Sequence, residues 1–290
     1  MHYAEYKTIL SPKNGVNLYR GCTHGCIYCD SRSACYQMKH DFEDVQVKRR
    51  ASQILEAELR RKRKPCMIAT GAMYDPYIPL ENKFELTRQS LALILKYKFG
   101  VALQTKSAGV LRDLALLKAI HAQTKAVVQM TLTTYDEDLC RILEPHVSTT
   151  ADRFEALLAL KQAGIPSVVW LCPLLPFIND TEENLLGILG YCRDAQVKGV
   201  LCFGFGLTLR EGNREYFYQK LDQFFPGLKQ RYMRQFGNSY SCLSPKHEAL
   251  MQIFHQRCAE WGLMHRQEEI FSYLNSFPVR EEQSSLWEGL

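Results

Sequence analysis

Residues 20–29 read Arg20-Gly21-Cys22-Thr23-His24-Gly25-Cys26-Ile27-Tyr28-Cys29. Three thiols at the spacing C-x3-C-x2-C let one short loop wrap one metal centre. Thiolates are the usual ligands of iron–sulfur clusters, and three of them on a four-iron cubane leave one iron open to a non-protein ligand. The ferredoxin run C-x2-C-x2-C-x3-C-P is absent, which argues against a simple electron carrier. A structural zinc site is the alternative, with Cys35 or His24 as the fourth ligand. Such sites usually pair two cysteine knuckles, and here there is one compact group.

The loop directly follows the first of six strand candidates, 16–19, 66–70, 101–105, 126–132, 167–172 and 200–205. Helix-like stretches at 48–62, 85–98, 109–121, 151–163 and 182–195 lie between them. Strands that alternate with helices pair in parallel, because the crossover helix returns the chain in the same direction. Gly164 and Pro166 supply a cap and a stop for one helix, and Asn179-Asp180 offers an N-cap before the next. Such βα units build either a partial barrel or an open doubly wound sheet. In both, chemistry belongs at the C-terminal strand ends. After about Pro226 the alternation stops. We expect 1–225 to form the core and 226–290 an extension packed on it, with a helix at 245–261 and a basic, aromatic stretch at 227–240.

Composition narrows the class. With 290 residues, 46% of them hydrophobic and 23% charged, the chain is an ordinary globular one and not a disordered one. Its longest nearly unbroken apolar run, 168–178, contains two prolines and falls well short of the ~20 residues that span a bilayer. The start, MHYAEYKTIL, carries an acid and no apolar signal core, so a cytoplasmic protein without membrane attachment is expected. In that compartment the 11 cysteines read as free thiols or metal ligands. A net charge of +5 permits an anionic partner without requiring one.

The cysteine loop, with an aromatic before its third cysteine, resembles the radical S-adenosylmethionine (SAM) superfamily. Within it the chain is similar to the spore photoproduct lyase-like, or DNA repair photolyase-like, branch. The blocks that carry this are Tyr19 to Cys29, Thr70-Gly71-Ala72-Met73-Tyr74-Asp75-Pro76-Tyr77, Leu86-Thr87-Arg88, and Thr105-Lys106-Ser107 with Arg112-Asp113. Further blocks run from Thr131 to Glu144-Pro145 and from Pro173 to Asp180. Residues 14–205 are covered well, the rest loosely.

The resemblance implies an α/β fold, a partial (β/α)6 TIM-like barrel of the radical SAM type with a mainly helical C-terminal extension. It implies a 4Fe–4S cluster on Cys22, Cys26 and Cys29, and SAM on the open iron. One electron, from a reductant such as flavodoxin or ferredoxin, would then yield a 5′-deoxyadenosyl radical that abstracts hydrogen from a substrate. By the same resemblance Tyr28 lies near the adenine, Lys106 pairs with the cofactor carboxylate and Thr131 contacts the ribose. Gly71 would offer backbone to the cofactor amine, while Asp75 either faces substrate or caps a turn.

DNA enters as a partner through the branch. From the residues themselves, the basic runs at 48–50 and 60–64 bracket one helix and are accounted for by its solvated face and dipole. The cations and aromatics of 229–240 are the better nucleic-acid candidate. A small-molecule or peptide substrate, and a zinc-stabilised protein without catalysis, are the other readings. Two departures stand out: Ala72 occupies the place where true spore photoproduct lyases carry a hydrogen-donating cysteine, and Asp30 follows the third cysteine where they carry tyrosine.

Overall fold

In the computed structural model, which describes residues 1–70 and 74–278, six parallel strands follow one another in chain order around a partial barrel. They are β1 Gly15–Val16, β2 Met67–Thr70, β3 Gly100–Thr105, β4 Ala126–Thr131, β5 Ser167–Trp170 and β6 Gly199–Leu201. Between them run α1 Ala51–Arg61, α2 Leu86–Lys96, α3 Leu114–Gln123, α4 Thr150–Gln162 and α5 Glu182–Asp194. β4 is buried at every position. A strand with helices outside and side chains inside has no solvated face, so its sequence runs apolar without alternation.

The two faces of the sheet have different partners. Val101, Leu103, Val128, Met130 and Val169 pack outward against α1 to α5. Met67, Ala102, Val127, Val168 and Leu201 point into the barrel. There they meet Ile270 and Leu274 of the last described helix.

Local signals set the helix ends. Thr149 and Asp152 form a reciprocal capping box at the start of α4. At α5 the cap is Thr181, whose hydroxyl accepts the Asn184 N–H at 3.1 Å, and not Asn179-Asp180. Asn179 instead donates to the Thr133 carbonyl at 2.9 Å and so joins the loops after β4 and β5. The first strand candidate also divides. Gly15–Val16 belongs to the barrel, whereas Tyr19–Arg20 pairs antiparallel with Gln46–Lys48 outside it. The Tyr19 phenol donates to Glu81 at 2.6 Å and the Arg20 guanidinium donates to the Tyr36 carbonyl at 2.6 Å, which draws this segment away from the sheet.

Beyond β6 lie α6 Asn213–Phe224, α7 Leu228–Phe236, α8 His247–Glu260 and α9 Gln267–Asn275, with an antiparallel strand pair of Gly206–Thr208 and Ser241–Leu243 that brackets α6 and α7. The basic, aromatic stretch folds into α7 and the turn after it, which bury Tyr232 and leave Arg231, Arg234 and Tyr240 exposed. Tyr232 is fully buried and donates to the Pro176 carbonyl at 2.8 Å. Arg231 lies over the Phe177 ring at 3.7 Å, and Lys229 pairs with Asp222 at 2.7 Å. Among the described residues no helix is long and apolar enough to cross a membrane.

Thr149→Ala removes the hydroxyl half of the capping box. It is expected to lower stability by about 1 kcal/mol, read as a lower urea midpoint at unchanged slope.

Candidate active site

Two glycines shape the cysteine loop. Gly21 has φ +96°, and a Cβ there would lie 2.4 Å from the Phe42 carbonyl oxygen. Gly25 has φ +71°, with Pro145 and His146 at 3.1 Å from where a Cβ would stand. Both positions favour glycine on conformation and on space. Backbone bonds hold the loop on either side: Cys22 N–H to Phe42 at 3.1 Å, Ile27 N–H to Leu143 at 3.0 Å, and His146 N–H to His24 at 3.1 Å. Cys22, Cys26 and Cys29 thereby line one cavity of about 130 Å³, together with His24, Asp75, Gln104, Lys106 and Thr131. It opens at the C-terminal ends of β3 and β4.

Three thiols from one loop are a donor set that suits a cluster with one open position. Zinc–sulfur bonds of about 2.3 Å place tetrahedral sulfurs within roughly 4 Å of each other. Among the described residues, the one group of three or more ligand atoms lying mutually within 4.8 Å is His2, His40 and Asp44, which contains none of the loop's thiols. Cys35, a candidate fourth zinc ligand, is exposed and has its sulfur 3.0 Å from Arg210. His24 is buried with Nδ1 3.8 Å from Asp75. Burial pushes the Cys22 thiol up to about 12, and raises Cys26 and Cys29 also. Thiolates in such a place need the positive charge of a metal centre to form.

Behind the cavity lies a buried ion network. The Glu144 carboxylate takes the Tyr28 hydroxyl, the Arg153 guanidinium and, at 3.2 Å, the Lys106 ammonium. Arg153 is itself fully buried and donates to the Thr131 carbonyl at 2.8 Å. Burial opposes the charge on Glu144, but Arg153 and Lys106 outweigh it and hold the carboxyl at about 2. Lys106, also opposed by burial, is kept charged by Glu144.

Asp75 does the bracing at the opposite wall. It accepts from the Thr105 hydroxyl at 2.7 Å, the Lys106 N–H at 2.6 Å and the Tyr77 N–H at 2.8 Å. It thus caps its own turn while lining the cavity, which joins the two roles offered for it by sequence.

The structure brings Cys22, Cys26, Cys29, Lys106 and Thr131 to one cavity. The Tyr28 ring is buried beside it among Cys26, Ile27, Leu143 and Phe217, 5.4 Å from the Lys106 nitrogen, with its hydroxyl turned to Glu144. Gly71 and Ala72 lie outside the described residues. Sequence reasoning missed Glu144 and Arg153 as site residues. The available signal was an arginine standing in register with the buried Ala156, Leu157 and Leu160 of α4.

The sequence profile of the radical SAM superfamily matches residues 16–189, and the chain belongs to that superfamily. The fold is that of spore photoproduct lyase. With bound AdoMet and dinucleoside spore photoproduct, that enzyme superposes with a TM-score of 0.61 at 12% identity, over 84% of this chain and 72% of the lyase. An uncharacterized protein of Mycobacterium tuberculosis (strain ATCC 25618 / H37Rv) is 31% identical over 223 residues, 75% of this chain and 65% of that protein. An uncharacterized protein of Methanocaldococcus jannaschii is 30% identical over 169 residues, 58% of this chain and 62% of that protein. The matched regions thus span somewhat less than two thirds of these relatives.

Glu144→Gln leaves Arg153 and Lys106 without their counter-charge and is expected to cost about 3–5 kcal/mol near neutrality. Because the folded carboxyl sits at about 2 against an ordinary 4.5, its contribution is complete above 4.5 and is lost as pH falls toward 2. Urea titrations at pH 7 and pH 3 should show the gap between wild type and variant narrowing at the lower pH. A constant gap would mean the carboxylate charge is not what the network uses.

Proposed function

We propose that this chain is a radical SAM enzyme that holds one 4Fe–4S cluster on Cys22, Cys26 and Cys29 and acts on a nucleic acid. What carries the reading is that three thiols, a lysine and a threonine from separate segments share one cavity at the C-terminal strand ends. When bound, the reduced cluster supplies the electron that cleaves SAM and yields a 5′-deoxyadenosyl radical able to abstract hydrogen. Lys106 meets the cofactor carboxylate from the end of β3, and Thr131 offers its hydroxyl to the ribose from the end of β4. Tyr28 fixes the loop between two ligand cysteines through Glu144, with its ring toward the adenine side. Gly71, as backbone to the cofactor amine, completes the set by resemblance. Burial in the barrel excludes water from the radical. A small soluble one-electron donor such as flavodoxin or ferredoxin would reduce the cluster.

Nucleic acid is favoured over a small molecule or peptide by the branch resemblance. Spore photoproduct lyase, which shares the fold, is itself known with a bound dinucleoside photoproduct. Reductive cleavage of SAM by the anaerobically reconstituted protein, with and without DNA, tests both parts. Cleavage that DNA accelerates supports them, and cleavage indifferent to DNA sinks the nucleic-acid half.

Alanine at Cys22, Cys26 or Cys29 is expected to abolish bound iron and acid-labile sulfide, whereas Cys35→Ala keeps both. Lys106→Ala is expected to keep the cluster and weaken SAM binding roughly ten- to hundredfold, the worth of a charge-assisted pair.

Repair of the spore thymine dimer itself is not expected. Ala72 has no labile hydrogen to donate, and Asp30 is engaged by the Tyr36 hydroxyl at 2.8 Å. Cys66 precedes β2 at the N-terminal end of the barrel, about 13 Å of strand from the mouth. An anaerobic assay on a dimer-containing oligonucleotide should return no efficient conversion to two thymines. Repair at a true lyase's rate would show that another donor reaches the site.

A further inference from the structure

The face of the sheet that carries Lys106 and Thr131 continues sideways into an aromatic wall. Thr131 is in register with Trp170 on β5, and Trp170 with Leu201 on β6. Register partners point to the same side, so the Trp170 indole lies next to Thr131 on the barrel's inner face. Its ring is locked, because Nε1–H donates to Gln129 at 2.9 Å and the Gln129 amide donates in turn to the Ala102 carbonyl at 3.2 Å.

Phe203, two residues past Leu201, has its ring 5.7 Å from Trp170. Phe271 of α9 stands 6.4 Å from Trp170 and 6.3 Å from Phe203. None of the three pairs is stacked face to face. Phe203 is 51% exposed and Phe271 37%, so aromatic surface is left open beside the cavity where the radical would form.

Two cations flank this surface. Lys246 adjoins His247, whose Nδ1 accepts the Phe205 N–H at 3.1 Å. Arg266 precedes Gln267, whose amide donates to the Cys202 carbonyl at 3.1 Å. Both are exposed; the Lys246 ammonium donates to the Asp180 carbonyl at 3.3 Å, and among the described residues neither cation faces a carboxylate in an ion pair. An open ring surface with cations that lack a carboxylate counter-charge in the segments beside it suits a strand whose bases stack and whose phosphates are neutralised. A neutral apolar ligand would leave the cations unused.

We propose that Trp170, Phe203 and Phe271 form a stacking site for an unpaired base of a single-stranded nucleic acid, with Lys246 and Arg266 on its backbone. This rests on the nucleic-acid reading above and names the part of the substrate that enters the barrel.

The test uses the cluster-loaded protein carrying Trp261→Phe and Trp287→Phe, so that Trp170 is the one remaining tryptophan. Its fluorescence is followed as a short single-stranded deoxyoligonucleotide, or an abasic oligomer of equal length, is added. The base-bearing strand should quench Trp170, and the abasic one should not. Phe203→Ala should weaken oligonucleotide binding by roughly five- to hundredfold. Phe203→Leu, which keeps apolar bulk without a ring, should do nearly the same. Lys246→Ala and Arg266→Ala should each reduce the salt dependence of binding by about one ion.

A SAM-induced change in the cluster's electron paramagnetic resonance spectrum, retained in both Phe203 variants, checks that the site is still assembled. Oligonucleotide binding with no Trp170 quenching, or with undiminished affinity in both Phe203 variants, overturns the proposal while leaving nucleic acid as substrate. Equal binding of the abasic oligomer does the same. No binding of either strand by a protein that still cleaves SAM overturns the proposal and the nucleic-acid reading together, leaving the radical SAM assignment in place.

Discussion

A carboxylate with no access to water organises the centre of this molecule. Glu144 would be neutral in so dry a place without Arg153 and Lys106, and its charge is the reason each of them can stay there. Three parts of the chain meet at this group: the cysteine loop through Tyr28, the end of β3 through Lys106, and α4 through Arg153. Arg153 then reaches the Thr131 carbonyl and fixes the end of β4 as well. The loop and the two strand ends that form the cavity are therefore tied at one point behind it. Such a network is costly to break, since any one partner removed strands charge in a low-dielectric interior.

Asp75 has the matching role on the other side. Its three accepted bonds join the turn after β2 to the end of β3. Lys106 is thus held at its backbone N–H by Asp75 and at its ammonium by Glu144. The Lys106 ammonium is directed by Glu144 and by strand geometry.

Much of this could be read from the sequence where the signal is local. The buried strands β3 and β4 are apolar runs, and the runs predict their positions to within a residue or so. The cysteine spacing predicts that the three thiols meet in one cavity, since they come from one short segment. Lys106 and Thr131 were legible as strand-end residues. What lay beyond reach was tertiary pairing. Tyr28 and Glu144 meet across most of the barrel's sequence, and nothing in either neighbourhood announces the other. Trp170, Phe203 and Phe271 likewise become one surface only when β5, β6 and α9 are placed together. In α7 and the turn after it, composition does not tell which aromatic is buried: Tyr232 faces the interior while Tyr240 stays exposed. Strands of two or three residues, such as Gly206–Thr208, carry too few side chains to show a period.

The glycine-shaped loop has a bearing on how the proposed metal centre would be acquired. In a zinc finger the ligands find their geometry only as the metal binds, so coordination supplies the folding free energy. Here the loop's course is set beforehand by Gly21, Gly25 and the carbonyls of Phe42, Leu143 and His24. Little conformational entropy is left to be lost when the irons arrive. The free energy of coordinating a cluster at such a loop would therefore appear as affinity more than as folding.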